Sequence, residues 1–427
     1  MKDSIATAPR NLFHIKRRQA VDIGFRALRR IGIAIAGRPD SVSEVLLYPS
    51  VESEAALEDI VNRLAWYLPA ENVESHSITL PLADDVPHTE PTESPDSQPT
   101  YDRTHLNIEF VGSTEANDRA DSADKILCND VYRAFGETFL KNIDRVEIVD
   151  PTFYSTTACA TWINGTSELR RTVTDQSREN FRRFEEERTD CDRSFVFATG
   201  PSLEEAYSFE FPDSALKIVC NSMVRNEELL EHIDPDVLVF ADPVFHFGPS
   251  KYAHTFRGDA AEVIQKYDCT VAVPKTKRSL LIGHYPEIRE QVIGIESVSS
   301  NLPRFPTHRS LDVMGTSNIM TLLMLPIASS LTDSVHIIGA DGREETESYF
   351  WEHSDIAQYD DEMMKTAADT HPSFFRDRIY TDYYEQHVET LEEMIEYGER
   401  QGIEYTSLTE SHIKCLQNRY DTGTPGQ

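Results

Sequence analysis

A chain of 427 residues, 39% hydrophobic and 9% aromatic, is too long for one ordinary core and has the apolar material for two. Its 73 acidic residues against 41 basic ones leave a formal charge of −32. That balance excludes nucleic acid as the main partner and points to a host with high intracellular salt, where self-repulsion is screened. Six scattered cysteines without a C-x-x-C pair exclude a disulfide framework and a cysteine zinc site, and no apolar run approaches a membrane span of ~18 residues. Arginines interrupt every apolar stretch of the N-terminus, so no secretory signal is read there, and the expected location is cytoplasmic.

Residues 1–38 carry nine Lys/Arg against two acids, opposite to the rest of the chain. Val21, Phe25, Leu28, Ile31 and Ile35 recur at helical spacing, with Arg18, Arg26, Arg29 and Arg30 mostly between them. The pattern predicts a basic amphipathic helix within residues 1–40. Two readings stay open for it: peripheral contact with the anionic inner membrane face through residues 10–37, or packing on the body against its acids. A smaller α/β domain is expected over 41–188. Its strands are read at 45–48, 107–111, 125–128 and 145–149, with an extended stretch at 73–82, a helix at 52–68 and a charged helix at 168–188. Residues 84–103, rich in Pro, Thr, Ser and Asp, are expected to form a disordered loop. No chemistry is legible in this domain.

From 189 to 418 strands and helices alternate, which predicts a mostly parallel Rossmann-like sheet; 419–427 reads as a flexible tail. Strands are expected at 195–198, 218–220, 237–240, 270–273, 292–295, 335–338 and 405–408. Several are continuous apolar runs, as strands covered on both faces require. Ligands bind such sheets off the carboxyl ends of the strands, so the residues there carry the functional signal. The first strand is followed by Gly200-Pro201-Ser202-Leu203, where glycine permits a tight turn, proline suits a first helical turn and backbone N–H groups can hold an anion. Asn221 follows the second strand, Asp242 the third, and Gly339-Ala340-Asp341-Gly342 the strand at 335–338. Gly315-Thr316-Ser317-Asn318 opens an apolar helix through Leu331, a second anion position. Residues 342–384, polar and aromatic, are expected to form a lid with phosphate contacts from Arg343 and Tyr349 and a titratable base, His371 or His353.

In this order the segments resemble the bacterial CMP-sialic acid sialyltransferases over about residues 195–408. That family has a G-x-G-P-S-L turn, a strand ending in Cys-Asn, a Thr-Ser-Gly helix start, a strand ending in Gly-Ile-Asp, and a Ser-Tyr-aromatic step. Here these read Ala198-Thr199-Gly200-Pro201-Ser202-Leu203, Cys220-Asn221, Thr316-Ser317-Asn318, Gly339-Ala340-Asp341 and Ser348-Tyr349-Phe350. The resemblance implies a nucleotide pocket lined by Gly200, Ser202, Asn221, Thr316 and Ser317, a leaving phosphate held by Tyr349, and a lid histidine, His371, as acceptor base. Ala198 and Thr199 replace the family's first glycine and asparagine, and Arg343 replaces its first phosphate-binding tyrosine. These departures leave a CMP- or a diphosphate-linked donor open. A looser similarity joins the G-P-S-L turn and the run from Pro235-Asp236 to Asp242-Pro243 to archaeal hydroxymethylpterin diphosphokinases and motility-associated relatives. Those enzymes need a magnesium-bound acid cluster. Here Asp190-Cys191-Asp192 and Asp234-Pro235-Asp236 both precede strands, the wrong end for that role.

The expectation is therefore an inverting glycosyltransferase. It would move a sugar from a nucleotide-sugar to a glycan or lipid-linked glycan acceptor in surface glycan assembly, with no cofactor required and no metal indicated. The alternatives are a magnesium-dependent pyrophosphokinase on a pterin-like substrate and a non-catalytic scaffold of glycan assembly.

Overall fold

The computed structural model describes residues 24–25, 27–29, 42–70, 76–130, 133, 137–149, 167–343, 359–377 and 381–421. The contacts divide the chain into two units. One comprises Met1–Arg170 with Gly248–Lys251 and Glu362–Arg378; the other comprises Arg171–Phe247, Tyr252–Asp361 and Ile379–Gln427.

The first unit is built on five parallel strands, β1 (Glu44–Tyr48), β2 (Ser77–Leu82), β3 (Asn107–Gly112), β4 (Lys125–Cys128) and β5 (Val146–Ile148), in the order β3-β2-β1-β4-β5. The helix Glu54–Tyr67 starts where the Ser53 hydroxyl accepts the Ala56 N–H, and it buries Leu57, Ile60, Val61 and Leu64 against the sheet core. Residues 84–103, expected to be disordered, form turns and irregular backbone, mostly exposed, with Val86, Gln98 and Tyr101 buried. Asn62 on that helix donates to the Gln98 side chain and the Pro99 carbonyl and accepts the Tyr101 N–H. One buried amide thus supplies partners that polarity alone does not reveal. Of the basic N-terminal helix only 24–25 and 27–29 are described. Phe25 is buried beside Phe139 and Arg29 pairs with Glu147, which follows the packing reading for that turn.

The second unit holds eight parallel strands, β6 (Arg193–Phe197), β7 (Leu216–Cys220), β8 (Val237–Val239), β9 (Thr270–Pro274), β10 (Val292–Val298), β11 (Asp312–Met314), β12 (Ser334–Ile338) and β13 (Glu404–Ser407). Their order is β11-β10-β9-β8-β7-β6-β12-β13. Phe195, Val196 and Phe197 in β6 and Val237, Leu238 and Val239 in β8 are all buried, so both faces are covered. The helix Ser167–Glu187 belongs here from residue 171, with Phe181 and Phe184 in the sheet's core; the boundary expected at 188 moves back by a helix. Strand β11 is absent from the sequence reading. The α/β fold class, with a parallel Rossmann-like sheet in the second unit, is as expected; the sheet of the first unit is parallel as well. No helix among the described residues is long and apolar enough to cross a membrane.

Candidate functional site

From β6 the chain lays down β7 to β11 on one side, then returns to place β12 and β13 on the other. The crevice between the carboxyl ends of β6 and β12 is therefore the topological switch point, where open α/β sheets take their ligands. Gly200 and Gly339 make the crossing possible. The Gly200 N–H donates to the Gly339 carbonyl at 2.9 Å, and the Ala198 N–H to that of Ile338 at 2.8 Å. A Cβ on Gly200 would stand 2.1 Å from Asp341 Oδ2, and one on Gly339, at φ +75°, 2.5 Å from the Ala198 carbonyl oxygen.

The turn's N–H groups, expected to be free for a phosphate, are engaged. Pro201 has none, and the Ser202 N–H donates to both carboxylate oxygens of Asp341, at 3.1 and 3.2 Å. The anion position at the start of the 3₁₀ helix Pro201–Ser208 is thus filled by the chain's own Asp341. Burial raises the Asp341 carboxyl above its usual range against the hydrogen bonds from Ser202. Glu205 is raised too, by burial and by the charges of Asp341 and Glu410.

Asn221 sits in the left-handed region at φ 51° and opens the 3₁₀ helix Asn221–Arg225. Asparagine tolerates that conformation better than most residues, so the backbone alone accounts for its presence. Asp242 Oδ1 accepts the N–H groups of Val244 and Phe245 at 2.8 and 2.9 Å, and its own N–H donates to His246 Nδ1 at 3.0 Å. It is a turn cap first. His246 is fully buried, and desolvation pushes its pKa down to about 4.

Two arginines mark the same edge. Arg225, after β7, lies over the Tyr359 ring at 4.4 Å, and the Tyr359 hydroxyl donates to Asp259 at 2.7 Å. Arg343, after β12, lies over the Tyr384 ring at 4.4 Å, and its N–H donates to the Tyr384 hydroxyl at 3.0 Å. Gly342, at φ +72°, allows that approach: a Cβ there would meet the Tyr384 hydroxyl at 2.8 Å.

Beyond β11 a cavity of about 410 Å³ opens between residues 315–321 and the helix Thr381–Glu399. Thr316, Ser317, Asn318 and Thr321 line one wall; Gln386, His387, Glu389, Thr390 and Glu393 line the other. The Thr321 hydroxyl donates to Thr316 Oγ1 at 2.9 Å, and Asn318 Oδ1 accepts the Met320 N–H at 2.8 Å, which fixes the loop. The apolar helix expected here begins as a π-turn, Met320–Met324, before Leu325–Leu331. Burial pushes the His387 imidazole down to about 4.

His371 is grouped with the first unit, is 0% exposed, and follows the helix Asp361–Thr370, where Arg63 donates to the Thr370 carbonyl at 2.7 Å. Its own carbonyl accepts the Phe374 N–H at 3.1 Å. The lid expected over 342–384 divides between the two units. Tyr349 and His353 lie outside the described residues.

The switch point therefore gathers Gly200, Pro201, Ser202 and Asp341, the neighbouring strand ends bring Asn221, Asp242 and Arg343, and Thr316 and Ser317 join the cavity. Arg225, Tyr384 and the cavity face of Thr381–Glu399 escaped sequence reasoning. Gln386, Glu389, Thr390 and Glu393 do fall at i, i+3, i+4 and i+7, one helix stripe, but a polar stripe ordinarily reads as a solvated face. Among the described residues no three His, Cys, Asp or Glu side chains are grouped to hold a metal ion. No family model, curated protein or solved structure matches the chain.

Proposed function

We propose that the second unit is a glycosyltransferase module that moves a sugar from a nucleotide-activated donor to a glycan acceptor. The observation that carries this reading is the polar cavity. Its hydroxyls, two amides and two carboxylates, Glu389 and Glu393, complement a polyhydroxylated ring, since an ionised carboxylate only accepts and each sugar hydroxyl can donate. One helix connects the cavity to charge: Tyr384, beneath Arg343, lies one turn before His387. Arg343 would stabilise negative charge on a departing phosphate. The group that takes the acceptor's proton is sought in the cavity, among Glu389, Glu393 and the neutral His387, in place of His371.

The test is a panel of CMP-, UDP-, GDP- and dTDP-sugars in molar KCl, read by thermal shift and turnover. At least one donor is expected to raise the unfolding midpoint. Glu389→Gln or Glu393→Gln is expected to cut turnover by about two orders of magnitude while nucleotide binding survives. No shift with any donor would sink the reading and leave the scaffold alternative. Turnover of ATP and a pterin alcohol that is abolished by EDTA would replace it with pyrophosphoryl transfer.

A further inference from the structure

Phe25 and Arg29 fix which way the basic N-terminal turn faces. Phe25 is buried beside Phe139, with ring centroids 5.9 Å apart, and Arg29 pairs with Glu147. Each residue of a helix advances about 100° around the axis, so these two, four apart, lie on nearly one line. The other described positions of the turn are open. Ala27 and Leu28 are exposed, and a Cβ on Gly24 would meet nothing within 4 Å. Leu28 stands about 60° round from Phe25 and about 100° from Arg29, on the side turned away from the first unit's core. In the sequence, Val21, Ile31 and Ile35 fall at i−7, i+3 and i+7 from Leu28, the spacing of one helical stripe. The core therefore takes the edge of the apolar stripe and leaves Leu28, nearer its middle, outside. A second leucine borders the same contact. Leu140, in the short helix Glu137–Lys141, follows Phe139 and is 53% exposed, and Leu28 is 44% exposed. Among the described residues five large apolar side chains are exposed, and these are the two in the first unit.

The geometry points to a lipid-docking face on the first unit: Leu28 and Leu140 enter the headgroup layer of an anionic membrane, and the basic N-terminal segment meets its phosphates. Charge selects this occupant. Residues 1–38 carry nine Lys/Arg against two acids, a net of +7 in a chain whose total is −32. A second copy seated on the same face across a two-fold axis would set this positive segment against its own like. An anionic lipid surface complements it, and exposed leucines beside basic residues are what an interfacial element presents to such a surface. Salt does not defeat the contact. In molar salt the Debye length is about 3 Å, so repulsion between the acidic remainder of the chain and the membrane is screened. Transfer of a leucine side chain out of water is not screened in this way. The attachment is peripheral and reversible, and it stands independently of the glycosyl-transfer reading.

The test is co-sedimentation of the full chain, in molar KCl, with vesicles of phosphatidylglycerol and with vesicles of phosphatidylcholine. The parent is expected to partition at least about tenfold more strongly to phosphatidylglycerol. Leu28→Glu with Leu140→Glu should lower that partitioning at least about tenfold, and Leu28→Ser with Leu140→Ser, which adds no charge, should lower it several-fold. Both side chains are exposed and Phe25 keeps its place, so the unfolding midpoints should not change. Leu302→Glu removes an exposed leucine of the second unit and should bind as the parent does, which separates this face from general apolar adhesion. Equal partitioning of the parent and the serine variant overturns the proposal, as does equal binding of the parent to the two lipids or binding to neither. A parent dimer in light scattering that the same substitutions dissociate would also overturn it, in favour of a second copy on this face.

Discussion

At the scale of single residues, Gly200 shows why a loop motif needs its partner to be understood. Its φ of −73° is open to any residue, so glycine is required by space and not by backbone strain. A Cβ would press on Asp341 Oδ2 and, at 2.6 Å, on the Gly339 carbonyl oxygen. Gly200→Ala is therefore expected to cost about 1–3 kcal/mol, the usual penalty of overpacking. Asp341→Ala should recover part of that loss in the double variant and leave the part due to the Gly339 backbone. Urea unfolding of the four-member cycle measures it; strictly additive effects would mean that the two residues do not share the space assigned to them. Asn221 carries the opposite lesson. The sequence marks it as a ligand contact, whereas its left-handed backbone already selects asparagine.

Among the elements, the helix that lines the cavity has a defect with a cause. Pro326 lacks an N–H, and in a regular helix its ring would crowd the carbonyl of Leu322. Just before it the helix widens into the π-turn Met320–Met324, where the Leu325 N–H bonds back to the Met320 carbonyl. Thr321 lies in that turn and points its hydroxyl at Thr316. Pro326→Ala should let the helix return to regular bonding and swing Thr321 by about 100°. The expected result is an equal or higher thermal midpoint with a several-fold weaker nucleotide-sugar affinity. A lower midpoint with full affinity would show that the turn does not depend on the proline. Much of this architecture was legible beforehand: residues 195–197 in β6 and Val237–Val239 in β8 are short apolar runs, as a strand covered on both faces requires. Strand β11 was not, because three residues after a Pro- and Arg-containing stretch give no periodicity. The grouping of His371 with the first unit was hidden for a related reason. Proximity in sequence to Arg343 does not reveal that residues 362–378 enter the other unit's packing. Arg225 was hidden because it closes a five-residue 3₁₀ turn that has no pattern of its own.

For the whole molecule, buried histidines set the acid limit. His246 and His387 each have a pKa pushed from 6.5 down to about 4 by burial; for His246 the nearby Asp242 opposes that shift and Arg257 adds to it. A base with a depressed folded pKa favours unfolding once protons become available. The cost begins as pH falls through 6.5, grows towards 4, and reaches about 2 kcal/mol for each histidine by pH 5. Asp236, Asp341 and Glu205, whose carboxyls are raised mainly by burial, act in the other direction, since acid relieves their charge. Between pH 6.5 and 5 the histidines should dominate. Denaturant midpoints at fixed molar KCl should fall across that window, and the slope should flatten in His246→Asn with His387→Gln. An unchanged slope would assign acid sensitivity elsewhere. The division of the chain has a further, genetic meaning. Its path leaves the first unit after Arg170 and returns for Gly248–Lys251 and again for Glu362–Arg378. No single cut in the gene therefore yields both units whole, and the two sheets, though each has a core of its own, must be inherited, expressed and recombined together.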